Sequence, residues 1–222
     1  MKRIDPETYE QLLASATVLE RDGHGAKVLA LADGSLIKVF RRKRWLSTAL
    51  VFPYARRFVR NARRLAERGI VSVQVLDTAY CPALARHLVT YRPLRGTTLR
   101  YALKGAEADH QGLLATFADF VADLHRKGVY FRSLHFGNVI VPPGGGRLGL
   151  IDVADLTFRG RALSSRLRVR NFTHMLRYAE DRAALQAYGW QKFIDNYLAA
   201  ASLPPRQVRC LHRIGAEHFP AG

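Results

Sequence analysis

Apolar-rich runs of strand length, broken by polar turns, fill residues 16–40, and from about Ser47 the period changes. Residues 1–15 read as a short leading helix. Ala16–Leu19, Lys27–Leu31 and Ser35–Phe40 are strand-like runs, separated by the turns Arg21-Asp22-Gly23-His24-Gly25 and Asp33-Gly34. Asp-Gly between two apolar runs is a hairpin signal, so the chain opens as an antiparallel meander. From Ser47 to Arg68 the period becomes helical, with Leu50, Tyr54, Phe58, Ala62 and Leu65 at three- and four-residue steps, and Gly69 marks the stop.

Val71–Leu76 and Leu88–Tyr91 return to strand, and Thr97–Leu103 reads as a helix start. Leu113–His125 is helical, with a stripe of Leu114, Phe117, Phe120, Val121 and Leu124. Val139–Asp152 reads as a strand–turn–strand hairpin around Pro-Pro-Gly-Gly-Gly at 142–146. Beyond Ser164 the pattern is helical through His174–Tyr178, Ala183–Tyr188 and Gln191–Ala200, and Pro204-Pro205 opens a final basic helix or tail. Strands first and helices later is the α+β order. Neither an internal repeat nor a long low-complexity linker separates independent domains.

Composition adds little until charge is considered. With 222 residues, 48% hydrophobic and 24% charged, the chain can bury a sizeable core. Cys81 and Cys210 lie far apart without metal-ligand spacing, which fits a reduced, cytoplasmic setting. The polar N-terminus has no secretion-signal pattern, and no apolar run reaches transmembrane length. Against 18 acidic residues stand 35 Lys and Arg, a net charge of +17. Clusters at 41–44, 56–64 and 159–170 should attract a polyanion: nucleic acid, acidic lipid or phosphorylated glycolipid. A solvated arginine-rich surface is the plainer explanation, and aromatic residues do not interleave with the clusters in any RNA-binding motif. Nucleic acid is therefore not the expected partner.

Three residues carry candidate chemistry: Lys38 in Leu-Ile-Lys-Val-Phe, Asn138 after a loop, and Asp152 in Leu-Ile-Asp-Val. Their order resembles the phosphate-binding lysine, catalytic-loop asparagine and metal aspartate of protein-kinase-like folds. Ser133-Leu134-His135-Phe136-Gly137-Asn138 is similar to the H-x-D-L-x-x-G-N loop of sugar and small-molecule kinases. The run 159–178 is similar to the segment after the metal aspartate in lipopolysaccharide core heptose and Kdo kinases and their toluene-tolerance-type relatives. The resemblance covers roughly residues 15–200.

It implies one kinase-like domain, with about 1–91 as a β-rich N-lobe carrying one helix and about 92–222 as a mainly helical C-lobe. It further implies ATP and Mg²⁺ as cofactors and a sugar hydroxyl of lipopolysaccharide core, or a related small molecule, as acceptor. An anionic glycolipid acceptor would bring the protein to the inner-membrane surface. Lys38 would pair with phosphates, Asn138 and Asp152 would hold the metal, and Gly23 and Gly25 would let the backbone approach the nucleotide.

Three departures accompany the resemblance. The catalytic aspartate position, five residues before Asn138, holds Ser133, and the loop's leading histidine is Phe131, although Arg132 remains. His135 has a suitable pKa range for the missing base. Asn61 takes the place of the helix glutamate that pairs with the lysine, since Glu67 lies too near the helix end. Asn171 takes that of the aspartate that braces the loop. The alternatives are an atypical kinase and a pseudokinase that binds nucleotide or a partner without transfer.

Overall fold

The structure, a computed structural model, describes residues 1–23, 25–41, 54–105, 109–201, 203, 208–209 and 211. The chain divides into two compact units, Met1–Leu94 and Arg95–Gly222.

In the first unit, strand β1 (Lys2–Arg3) precedes helix α1 (Pro6–Ala14). Asp5 caps α1 by accepting a 2.7 Å bond from the Thr8 amide, and Pro6 occupies the first turn, where no amide donor is needed. The meander follows as β2 (Thr17–Asp22), β3 (Gly25–Ala30) and β4 (Leu36–Arg41), antiparallel throughout. At the β3–β4 turn the Asp33 carboxylate accepts from the Ser35 amide and hydroxyl, at 2.9 and 2.6 Å. After α2 (Tyr54–Ala66) come β5 (Val71–Ser72), β6 (Gln74–Cys81) and β7 (Arg86–Arg92). The sheet order is β1-β6-β7-β4-β3-β2, and the leading segment read as helix alone also contributes β1, parallel to β6.

Strand alternation gives this sheet two different faces. Ile37 and Val39 of β4 join Ile4, Tyr9, Leu29, Cys81 and Leu88 in a buried cluster. Lys38 and Phe40 point the other way, toward α2, where Phe58 packs between Phe40 and Tyr91 at ring distances of 5.7 and 5.5 Å. Ala55, Phe58, Ala62 and Leu65 form the buried stripe of α2, while Arg56, Arg60 and Arg63 are exposed. The part of this helix expected over 47–53 falls outside the described residues. Its end follows the glycine rule: the Gly69 amide donates to Ala66 and the Ile70 amide to Leu65, at 2.9 and 3.0 Å.

The second unit begins with β8 (Thr97–Thr98), α3 (Leu99–Ala102) and α4 (His110–Arg126). It continues through β9 (Val129–Phe131), β10 (Val139–Val141), β11 (Gly149–Leu150) and β12 (Leu156–Phe158). Three helices close it: α5 (Ser165–Met175), α6 (Ala179–Tyr188) and α7 (Trp190–Ala201). The expected hairpin is present, with Val139 opposite Leu150. Strands β9 and β12 are three residues each, too short to show alternation in sequence, and pair antiparallel. Phe117, Phe172, Phe193 and Tyr197 are fully buried and knit α4, α5 and α7 together, with Phe172 edge-on to Tyr197 at 4.9 Å. Helix α5 stops at Met175 rather than running on to Tyr178, because Arg182 takes the carbonyls of Leu176 and Arg177 at 2.8 and 3.1 Å. The tail after Pro204 lies largely outside the described residues. Among the described residues, no helix is long and apolar enough to cross a membrane.

Gly128 links α4 to β9 and so fixes the start of the loop that follows. Its φ is +71°, and a Cβ there would stand 2.5 and 2.6 Å from the carbonyl oxygens of Arg161 and Arg159. Gly128→Ala should therefore cost at least about 2 kcal/mol, combining left-handed strain with overlap. Gly144→Ala, at φ +72° in open space, should cost only about 1 kcal/mol. Urea unfolding of the two variants measures the difference.

Candidate functional site

Residues 132–138 connect β9 to β10 and are held from three sides. At the near end, the Asn171 amide nitrogen donates to the Phe131 carbonyl at 2.7 Å. Because that nitrogen is the donor, the Asn171 oxygen must accept from His125 Nε2, 3.1 Å away. His125 Nδ1 then accepts from the Tyr197 hydroxyl at 2.9 Å, and that hydroxyl accepts from Arg168 at 2.5 Å. Each donor in this chain has one acceptor, which fixes both the amide orientation and the imidazole tautomer. His125, Asn171 and Arg168 are 0, 1 and 2% exposed, so Arg168, counted in sequence among a basic surface run, is a core residue. Burial pushes His125 down to about 3, with Arg168 lowering it further against the opposing Asn171 bond.

At the far end the brace is ionic. Asp181 of α6 is fully buried and binds Arg100 of α3 through both oxygens, at 2.8 and 3.0 Å. Its Oδ2 also accepts the Phe136 amide at 3.0 Å, and Glu180 adds a second carboxylate 3.0 Å from Arg100. The bond to Asp181 raises the Arg100 pKa. Arg100 also lies over the Tyr178 ring at 4.7 Å. Arg100 and Asp181 were not singled out in the sequence, because nothing in their spacing, 81 residues apart, couples them.

His135 sits between these braces. Its Nδ1 accepts from the Gly137 amide at 3.2 Å, capping the one-turn 3₁₀ segment Phe136–Asn138, and its ring packs on Tyr178 at 4.6 Å. With Nδ1 accepting, the neutral ring carries its proton on Nε2. Burial first, then Arg100, lowers its pKa. Ser133 Oγ stands 3.5 Å from Asp155 Oδ2, at the outer limit of a hydrogen bond. Arg132 is exposed.

The Asn138 amide nitrogen donates to the Ser133 carbonyl at 2.9 Å, which leaves its side-chain oxygen as the atom that can ligate a cation. The Ile151 amide donates to the Asn138 carbonyl at 3.1 Å, so the end of β11 is tied to the loop and Asp152 follows directly. Asp152 has φ 53° and ψ 46°; only it and Ala85 among the described non-glycine residues have positive φ. Such a conformation in a non-glycine residue is a strain that clusters at functional sites. Asp152 is exposed, and its charge is felt at His135.

A hard-cation site fits this pair in donor chemistry. An amide oxygen and a carboxylate suit Mg²⁺, which binds through one or two protein ligands plus phosphates and water. Among the described residues no group of three or more His, Cys, Asp or Glu side chains forms a self-sufficient metal cage.

In the first unit, Lys38 Nζ stands 5.8 Å from the centroids of both Phe40 and Phe58, held over their faces on the α2 side of the sheet. Asn61, one turn beyond Phe58, is fully buried, and Glu67, past the end of α2, pairs with Arg63 at 3.0 Å. Gly23 and Gly25 belong to the β2–β3 turn, with Asp22 opposite Gly25 and His24 outside the described residues. Gly25 has φ +114°, a glycine conformation, and no heavy atom lies within 4 Å of a Cβ built on either glycine.

No protein-family model matches the chain, and no curated protein matches it in sequence. Among solved structures it is similar to WaaP, in a complex of that protein with acyl carrier protein. There the TM-score is 0.56 at 17% identity, over 96% of this chain and 92% of that one. It is also similar to the bifunctional kinase-methyltransferase WbdD, with TM-score 0.52 and 15% identity, over 87% of this chain and 43% of that one. These likenesses establish the fold, α+β and protein-kinase-like.

Two predictions follow from the buried chain. Between pH 6.5 and about 3 the unfolded state protonates His125 while the folded state does not, so stability rises with pH there and falls on acidification. The loss should reach on the order of 4 kcal/mol. Chemical denaturation across that range should show a pH slope that His125→Gln reduces. Asn171→Asp puts a second acceptor against the Phe131 carbonyl and should destabilise by about 1–3 kcal/mol, measured by thermal melting at pH 7.

Proposed function

We propose that this chain is an ATP- and Mg²⁺-dependent phosphotransferase that acts on a sugar hydroxyl of lipopolysaccharide core or a related small molecule. The observation that carries the reading is the base of the β10–β11 hairpin. There the Asn138 carbonyl holds the Ile151 amide at 3.1 Å, and the next residue, Asp152, adopts a left-handed backbone. A loop asparagine and a strained post-strand aspartate in that relation supply two hard oxygen donors on a braced frame. The likeness to a protein whose printed name includes a kinase supports it.

In this reading the two units serve as the lobes of one domain. Lys38 neutralises nucleotide phosphates from the N-terminal sheet, with Gly23 and Gly25 giving the backbone access to them. Asn138 and Asp152 hold the metal, and bound Mg²⁺ would offset charge on the phosphate oxygens. Arg132 and Ser133 lie where the acceptor hydroxyl approaches. His135, with Nδ1 engaged by Gly137, orients the loop rather than taking a proton. Phosphoryl transfer asks chiefly for position and charge neutralisation, so the absence of an aspartate at 133 is not disabling. The net charge of +17, with exposed Arg56, Arg60 and Arg63 on α2, suits an anionic glycolipid acceptor reached from the cytoplasmic side of the inner membrane.

A second reading rests on Ser133 itself. A serine hydroxyl is a poor base at neutral pH, and a protein that keeps Asn138 and Asp152 without one fits a nucleotide-binding pseudokinase. Incubation with γ-labelled ATP, Mg²⁺ and delipidated core oligosaccharide separates the two: label on the sugar supports the enzyme, and ATP binding without transfer supports the pseudokinase. In either case Asp152→Ala should abolish Mg²⁺-dependent ATP binding, and Lys38→Ala should weaken it at least about tenfold, by calorimetry. Unchanged affinity in both variants would place the nucleotide elsewhere.

A further inference from the structure

The loop lacks its own carboxylate, yet one stands beside it. Asp155 lies three residues after Asp152, at the end of the 3₁₀ turn Val153–Asp155. Leu156 then enters β12, whose register pairs Leu156 with Phe131, Thr157 with Tyr130 and Phe158 with Val129. That pairing runs the chain back along the strand that feeds the loop. The residue before Leu156 is thereby brought alongside those after Phe131, and Asp155 Oδ2 reaches 3.5 Å from Ser133 Oγ. Backbone register sets the two residues side by side, and their side chains close the remaining distance.

We propose that Asp155 supplies the carboxylate which takes the proton from the acceptor hydroxyl, in place of the aspartate that Ser133 has replaced. The assignment rests on the phosphotransferase reading and deepens it. Other candidates near the loop are committed. Asp181 is buried against Arg100 and the Phe136 amide, His125 is enclosed between Tyr197 and Asn171, and His135 Nδ1 caps the turn. Asp155 is half-buried, open enough to meet a substrate and enclosed enough to be held. A carboxylate locked onto the serine would sit at about 2.5–2.7 Å, so the wider spacing leaves an oxygen able to accept a second hydroxyl.

The step balances as follows. The acceptor oxygen forms a bond to the γ-phosphorus of the nucleoside triphosphate as the bond to the β,γ-bridging oxygen breaks. That electron pair leaves with the nucleoside diphosphate, and the acceptor proton passes to the Asp155 carboxylate, which later returns it to water. Ser133 is a positioning residue here, its hydroxyl directed at Asp155. The carboxylate has moved from the loop to the segment after the metal aspartate, while its reach to the loop is kept.

The test uses the full chain with Mg·ATP, scoring γ-phosphoryl transfer to delipidated core oligosaccharide and to water. Asp155→Asn should lower kcat by about 10²–10⁴-fold with Mg·ATP affinity changed by less than about threefold. Adding Ser133→Asp to that variant should restore kcat at least about tenfold, because it returns a carboxylate to the loop. Full kcat in a folded Asp155→Asn protein overturns the assignment. So does loss of Mg·ATP affinity, which would make Asp155 a metal ligand. Wild-type protein that binds Mg·ATP but transfers to neither acceptor overturns the role of Asp155 and leaves the nucleotide site standing. Protein that binds no Mg·ATP overturns the phosphotransferase reading as well.

Discussion

A carbonyl oxygen inside a protein must be satisfied, and the one on Phe131, which accepts the Leu134 amide at 3.1 Å, also takes a side-chain donor at 2.7 Å because four side chains agree on where their protons are. Arg168 donates to Tyr197, Tyr197 to His125, His125 to Asn171, and Asn171 to Phe131. Protonating His125 would reverse one link and leave two donors facing each other at Nδ1. Burial keeps the ring neutral, and the loop that begins after Phe131 inherits its starting point from that neutrality. Asparagine suits this position because it is a donor and an acceptor at once, whereas an ionised aspartate offers acceptors alone.

The other end of the loop uses the opposite device. Asp181 is a buried carboxylate, tolerable because a bidentate guanidinium and a backbone amide share its charge. A neutral brace on one side and an ionic brace on the other leave residues 132–135 as the stretch that presents Ser133 outward. The same rigidity extends through the Asn138 carbonyl to Ile151 and the left-handed Asp152, so the candidate metal donors stand on a backbone held at both ends.

Two carboxylates of the second unit stand against the loop, neither of them at a position where the sequence led us to expect one. Asp155 lies 3.5 Å from Ser133, and Asp181 accepts the Phe136 amide at the loop's other end. Neither contact is visible in the loop's own sequence. In the first unit Asn61 is buried, and Lys38 lies over two aromatic faces.

The α+β class, the meander, the α2 stripe, the β10–β11 hairpin and the order Lys38, Asn138, Asp152 were legible along the chain. Each is local: strand alternation, helical spacing and turn chemistry act within a dozen residues. Tertiary structure alone decided β1, β9 and β12, because strands of two or three residues with no turn joining them to their partners have nothing local to read and exist only where a distant partner supplies their hydrogen bonds. It alone paired Arg100 with Asp181, buried Arg168, and set Asp155 against Ser133. Those relations join residues 22 to 81 positions apart, and a distance that long is fixed by packing and register, which no local pattern encodes.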